Sequence, residues 1–297
     1  MLCIENGILK IPIGNRQYFD IQLNKYVQQI LASDSNLIVR SFTLTVNSVS
    51  IAFAKDVSER RCTMTVGIDR NLRNVTCGNF EKLVQYDLTQ AIEVTEATND
   101  VIKSLKRNDV RTRKKLASKY GRRRRNRINQ LLHRVSKHIV QQAKQNNKAI
   151  FFEDIRRIRQ LYQRGNGQGR QYRGMMNSWS FSEIKRQIEY KARWEGIPVI
   201  QLSVKDTRGT STFCPQCGER LQGDRRLRRQ LWCKECRRWQ DRDIVAAMNL
   251  SLKGWMLFAH SKGIAGEAMK RNLEHDPIIL RVDAMKLSHI GSATHYS

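Results

Sequence analysis

Acid is what this chain is short of. It has 27 Asp and Glu against 54 Lys and Arg, a formal charge of +27 over 297 residues. Self-repulsion on that scale opposes a compact state unless a polyanion is bound. Long apolar runs are missing too. The longest wholly apolar piece is about the length of "GWMLFA" (Gly254 to Ala259), far below the roughly 20 residues that a membrane-spanning helix needs. The amino terminus, "MLCIENGILK", lacks the basic start and apolar run of a signal peptide. These absences point to a soluble intracellular protein, with no membrane partner, whose natural ligand is nucleic acid. A merely solvated cationic surface is the competing reading until a chemical site is found.

Cysteine is sparse but patterned. Of seven, Cys3, Cys62 and Cys77 stand alone, while Cys214, Cys217, Cys233 and Cys236 form two Cys-x-x-Cys knuckles separated by fifteen residues. Structural disulfides are rare in a reducing cytosol. A redox pair needs one such motif in a βαβ setting, not two at this spacing. Two knuckles closing on each other predict tetrahedral thiolate ligation of one structural Zn²⁺. Gly218 suits the tight turn after the first knuckle. Four thiolates leave the ion no open position, so the chemistry must lie elsewhere.

Residues 1 to 59 read as strands and turns, with a hairpin-like turn at Asn47-Ser48 in "SFTLTVNSVSIAFAKDV". In "RCTMTVGIDRN" alternation puts Met64, Val66 and Ile68 on one face of a strand. Thr63, Thr65, Gly67 and Asp69 fall on the other, a face kept small and polar. A helical, basic stretch follows from about residue 98 to 146. Ile128, Leu131, Leu132, Val135, Ile139 and Ala143 form its apolar stripe. Its first part is nearly free of acid and includes "GRRRR", a run that calls for phosphates. The cations expected there are Lys103, Lys106, Arg107, Arg111, Arg113, Lys114, Lys115, Lys119, Arg122, Arg123, Arg124, Arg125 and Arg127. "NKAIFFEDI" gives a second strand ending in Glu153 and Asp154. Arg164 to Gly174 reads as a mobile glycine-rich loop. Ser180 and Glu183 make a capping box for the next helix, "PVIQLSV" is a third strand, and "DRDIVAAMNLSL" a last helix.

This order implies an α/β core with parallel strands joined by crossover helices. Ligands bind such sheets at the carboxyl ends of strands. Asp69 and Glu153 each close a strand, and Asp243 starts a helix that can join them. Each has a plainer alternative: a turn with Asn71, a cap by Glu153 or Asp154, a helix N-cap by Asp241 or Asp243. Taken together they form an acid cluster whose repulsion raises pKa values. Divalent cations resolve that repulsion, and two Mg²⁺ would serve to activate water and stabilise a leaving oxygen.

The motifs "GIDRNLRN", "FFEDI", "TSTFCPQCG", "CKEC" and "DRDIVAAMNL", in this order, resemble the transposon-encoded TnpB (OrfB) family, relatives of type V CRISPR effectors. The resemblance covers roughly residues 36 to 285. It implies an RNase H-like (RuvC-type) mixed sheet interrupted by a zinc ribbon, and an RNA-guided, metal-dependent DNA endonuclease. It assigns catalysis to Asp69, Glu153 and Asp243, with Asp241 supporting. The cofactors would be one structural Zn²⁺ and two catalytic Mg²⁺, with Mn²⁺ able to substitute. The partners would be a guide RNA from the transposon end and target DNA, in a prokaryotic cytoplasm at the nucleoid.

The expected layout is a partial wedge-type, oligonucleotide-binding-like β module at 1–59 and a nuclease core at 60–206. A zinc ribbon at 207–240, a last helix at 241–257 and a flexible tail at 258–297 complete it. Two departures accompany the resemblance. Val245 stands where the family often has Asn, and the chain is expected to lack the amino-terminal helices that read duplex and guide. A non-cleaving nucleic-acid-binding regulator and a transposase acting on insertion-sequence ends are the alternative functions.

Overall fold

The computed structural model describes residues 3–34, 36–105, 109–155, 158–179, 181–224, 226–227, 229–262 and 277–287. It divides into two compact units, Met1–Ser58 and Glu59–Ser297. In the first, β1 (Cys3–Glu5), β2 (Ile8–Gly14) and β3 (Gln17–Gln22) form an antiparallel sheet. Asn15 and Arg16 turn β2 into β3 with φ of 44° and 61°, the left-handed pair that tight hairpins require. Asn24 caps α1 (Lys25–Ser33) by accepting from the Val27 amide. A hairpin of β4 (Ile38–Thr45) and β5 (Ser48–Ala54) follows; its turn falls at Val46 and Asn47, one residue earlier than expected.

The second unit is built on a six-stranded sheet in the order β10-β9-β6-β7-β8-β14. Here β6 is Met64–Arg70, β7 Asn74–Gly78, β8 Lys82–Asp87, β9 Lys148–Phe152, β10 Val199–Gln201 and β14 Ile278–Asp283. The expected parallel pairing holds for β6 with β9 and for β9 with β10, whereas β6, β7 and β8 form an antiparallel meander. The sheet is therefore mixed.

Helices cover both faces. Val66, Ile68, Ile150 and Phe152 pack against α3 (Val110–Gln145) and α5 (Phe181–Trp194), whose apolar stripes fall at the spacings that the sequence predicts. α2 (Thr89–Ser104) packs beside α3, and Asp109 caps α3 through the Thr112 amide. The opposite face explains the small polar residues of β6. There α7 (Arg242–Lys262) crosses so closely that a Cβ on Gly67 would sit 2.2 Å from Ala247 O and 2.5 Å from Ser251 N. Thr65 and Ser251 complete the seam by exchanging hydrogen bonds between side chains and main chain. Gly67→Ala is expected to cost stability near the upper end of the about 1–3 kcal/mol typical of overpacking. A urea titration reads this as a lower midpoint; an unchanged midpoint would mean that α7 does not press on β6.

Two expectations change. The tail expected to be flexible over 258–297 contains β14, which pairs in parallel with β8 from Ile278↔Lys82 to Asp283↔Asp87. Its "IILRVD" is apolar and β-branched enough to serve as a sheet edge, and α7 itself runs to Lys262. The remainder of that tail, 263–276 and 288–297, lies outside the described residues. The loop expected through Gly174 is helical from Arg170, where α4 (Arg170–Ser178) starts. Ser180 of the expected capping box lies outside the described residues; Glu183 accepts from Arg186 and Gln187. Between α5 and the ribbon, α6 (Val204–Thr207) is one turn long, with Ser203 as its cap. Among the described residues no helix is long and apolar enough to cross a membrane.

Candidate active site and metal centre

Strand register brings two of the acids together. Ile68 of β6 pairs with Phe152 of β9, and Asp69 and Glu153 are the next residue on each strand. Because neighbours in a parallel pair point the same way, both carboxylates fall on the face that α7 covers. Asp243 lies in the first turn of α7 and is 3% exposed. A chain of amides links it to the pair. Asn71 Nδ2 donates to Asp69 Oδ2 at 2.6 Å and to Asn74 Oδ1 at 3.3 Å, and Asn74 Nδ2 donates to Asp243 Oδ2 at 3.0 Å. The turn with Asn71 and the acid cluster are thus both present, and the first serves the second.

Two arginines that the sequence reading passed over complete the electrostatics. Arg70 is buried; it donates through Nε to Glu153 Oε1 at 3.1 Å and through Nη2 to Glu153 O at 2.9 Å. Its third contact is Phe181 O, and its guanidinium lies 5.1 Å from the centre of the Phe152 ring. This cation fixes one oxygen of Glu153. The other, Oε2, is buried and has no hydrogen-bond partner. Arg229 reaches from the cysteine module to the Asp243 carboxylate. Burial, and after it the charge of Glu153, pushes Asp69 up to about 7, against the opposing pull of Asn71, Arg229 and Arg70. Burial also raises Glu153, against the pull of Arg70.

A buried carboxylate oxygen without a donor beside an acid that ionises only near neutrality is a set of hard oxygen donors short of positive charge. Divalent magnesium or manganese suits such a set. Asp241 plays a different part. Its Oδ1 accepts from the amides of Asp243 at 2.8 Å and Ile244 at 3.3 Å, which makes it the N-cap of α7.

The four cysteines converge. Their sulfurs all lie within 4.8 Å of one another, with Cys214–Cys236 at 3.8 Å and Cys217–Cys233 at 3.4 Å. Metal–sulfur bonds of about 2.3 Å in a tetrahedron give edges of about 3.8 Å, so the cluster has the dimensions for zinc. Burial pushes the Cys214 thiol up, but the Cys217 amide and the Gln240 side chain outweigh it and hold it at about 7. Gly218 takes φ +77° after the first knuckle, as its place in the sequence predicts, and Arg237 takes the same left-handed turn after the second at φ 48°. The module is a three-stranded ribbon of β11 (Gln222–Gly223), β12 (Gln230–Cys233) and β13 (Arg238–Asp241). Its inner side rests on Val245 of α7, and Asn249 of the same helix donates to Thr210 O and Phe213 O. A branched apolar side chain at 245 therefore has a packing role.

Of the basic residues, Lys103, Arg111, Arg113, Lys114, Lys115, Lys119, Arg122, Arg123, Arg125 and Arg127 are exposed along α2 and α3. Arg124 is half-buried and donates to Asn99 Oδ1. Lys106 and Arg107 lie outside the described residues.

Residues 181–250 match the family model "Cas12f1-like, TNB domain", a span that holds α5, the ribbon and the start of α7. The TnpB-like protein MJ0751 of Methanocaldococcus jannaschii is 29% identical over 262 residues, covering 84% of this chain and 91% of that protein. A CRISPR-associated endodeoxyribonuclease, Cas12f1 of Sulfoacidibacillus thermotolerans, is 30% identical over 121 residues, which are 40% of this chain and 26% of its own length. A CRISPR-Cas12f ternary complex solved by cryo-EM shares the fold, with a TM-score of 0.50 at 14% identity, over 82% of this chain and 51% of that one. The four cysteines, the acids at the strand ends and these likenesses agree: the chain is similar to TnpB-like proteins and to the type V CRISPR effector Cas12f1.

Proposed function

We propose that this chain is an RNA-guided DNA endonuclease with a RuvC-like site formed by Asp69, Glu153 and Asp243. The observation that carries this reading is the pairing of β6 with β9, which sets two buried carboxylates side by side at the end of the sheet. The amide chain through Asn71 and Asn74 ties the third to them. Asp69, Glu153 through Oε2, and Asp243 would hold the ions. Two divalent cations, when bound, supply a nucleophilic water and stabilise the departing oxygen. Arg70 locks the Glu153 carboxylate in place, so its free oxygen is oriented before any ligand arrives. Arg229 neutralises Asp243 and brings a half-exposed guanidinium to an edge where DNA phosphates must approach. The ribbon's metal, enclosed by four sulfurs, is structural.

Guide RNA from the transposon end is assigned to the cationic part of α3. An α-helix of 36 residues is about 54 Å long, enough to follow the backbone of an A-form duplex for some distance. If Arg122 to Arg125 contact about four phosphates, changing all four to Gln reduces the slope of log affinity against log salt by about 3 to 4 units. RNA-binding titrations over a range of salt read this directly, and an unchanged slope would make the run a solvated surface. RNA that co-purifies with the chain is expected to map to a transposon end; RNA of random origin would remove the guide from the proposal.

A further inference from the structure

The helices α2 and α3 do not close on each other along their whole length. Where the chain turns after β14, Met285 joins them around a recess of about 260 Å³. Its floor is apolar: Ala91 and Leu131 are buried parts of the core, and Ile128 packs beside them. Arg134 of α3 holds one end, donating from Nη1 to Met285 O at 3.2 Å, with Met285 Sδ 4.0 Å away. About one turn beyond the other end, Arg124 donates to Asn99 Oδ1 and ties the two helices together. The recess is closed at both ends, so a strand cannot run through it.

Helical spacing decides the rim. Arg127, Gln130 and Arg134 follow at steps of three and four residues on α3, and Gln90 faces them from α2. No carboxylate is among the lining residues. A cation finds no counter-charge there, whereas an anion meets two guanidinium groups, of which that of Arg127 is exposed. Gln90 and Gln130 carry amides that both donate and accept, as the edge of a nucleobase demands. Glutamine pairs in this way with adenine through two hydrogen bonds. The apolar floor and the Met285 thioether suit the faces of a flat ring. An apolar cavity of about 150 Å³ admits benzene, so this recess has room for a two-ring base with its phosphate at the rim.

We infer that the recess binds one purine nucleoside monophosphate, with the base between α2 and α3 and the phosphate on Arg127. The ligand is the free nucleotide, because both ends of the recess are closed to a strand. The inference stands apart from the nuclease reading, since none of the three acids lines the recess. Binding also has a consequence for the fold. Met285 follows β14 by two residues, so a ligand that touches α2, α3 and Met285 together favours the arrangement in which β14 is docked on β8.

A chain this basic attracts any phosphate, and the test separates a built site from that background. Full-length protein freed of nucleic acid is titrated by calorimetry at physiological salt, without Mg²⁺, with adenosine monophosphate, adenosine and ribose phosphate. The site predicts one equivalent of adenosine monophosphate, bound about ten-fold or more tighter than ribose phosphate. Arg127→Gln should weaken the monophosphate about ten-fold and leave adenosine unchanged. Arg193→Gln, which removes the same charge from the exposed side of α5, should change neither. With the nucleotide at about 100 times its Kd, hydrogen exchange of the β14 amides should slow by up to about 100-fold. An azido derivative of the nucleotide should photolabel wild-type protein on α2, on α3 or at Met285. Equal affinity for the monophosphate and ribose phosphate, equal effects of the two arginine changes, unaltered exchange of β14, or labelling confined to other elements would overturn the site. Binding of a short oligoribonucleotide but not of adenosine monophosphate would overturn its assignment to a free nucleotide.

Discussion

Asp69→Asn, Glu153→Gln and Asp243→Asn should each abolish Mg²⁺-dependent cleavage, by on the order of a thousand-fold or more, because ligands of one site act as a unit. Each change keeps side-chain volume and removes one negative charge. RNA affinity should be nearly unaffected, since the cations of α3 do not depend on these acids. Stability separates the three. Glu153→Gln leaves Arg70 buried without its counter-ion, a situation that costs about 3–5 kcal/mol. Asp69→Asn removes a charge that burial and Glu153 already oppose, the reason its carboxyl is pushed up to about 7. At pH 8 without divalent ions its melting temperature should therefore be no lower than that of the wild type, although it is inactive. Asp241→Asn should be mild, because Asn caps a helix about as well as Asp. Guided cleavage and thermal melting on the four variants check this together. Cutting at the wild-type rate by all three primary variants would remove the site as drawn.

The second large effect is on the ribbon. Cys217→Ser or Cys236→Ser should release one zinc per chain, because structural zinc binding is itself folding free energy, about 10–16 kcal/mol in small thiolate sites. The loss should spread beyond the knuckles. Val245 packs on Cys214, Cys233 and Leu221, and Asn249 holds the carbonyls at Thr210 and Phe213. Loosening the ribbon thus frees the start of α7, including Asp243 and its partner Arg229. Metal analysis and hydrogen exchange should show zinc gone and faster exchange of ribbon amides and of the first turn of α7. The same substitution at Cys3 should leave zinc content unchanged. Wild-type protein purified without zinc, holding two disulfides instead, would reverse this account.

Local pattern made much of this site legible. The knuckles declare themselves by spacing, and alternation around Asp69 predicts its face. Glu153 ends an apolar strand, as expected for a residue at a sheet edge. What stayed hidden depends on residues far apart in the chain. The reason that 65 and 67 are small is α7, nearly two hundred residues later, which no window on β6 can report. Nothing in the sequence sets Arg70 and Arg229 apart from the chain's other cations; only the fold distinguishes a buried guanidinium on Glu153 from a surface charge. Asn74 carries no mark in the sequence, yet its amide links two parts of the site. β14 was lost in the tail because a parallel edge strand needs a partner, β8, from the other end of the core.

Manganese binding tests the central claim most directly, that Asp69 and Glu153 form a cation site at the end of β6 and β9. With the four sulfurs saturated by zinc, Mn²⁺ is titrated into the wild type and into Asp69→Asn and Glu153→Gln, followed by calorimetry and electron paramagnetic resonance. The account predicts a saturable Mn²⁺ signal in the wild type that is lost or greatly weakened in both variants, each with its zinc retained. Undiminished Mn²⁺ binding by the two variants would contradict it.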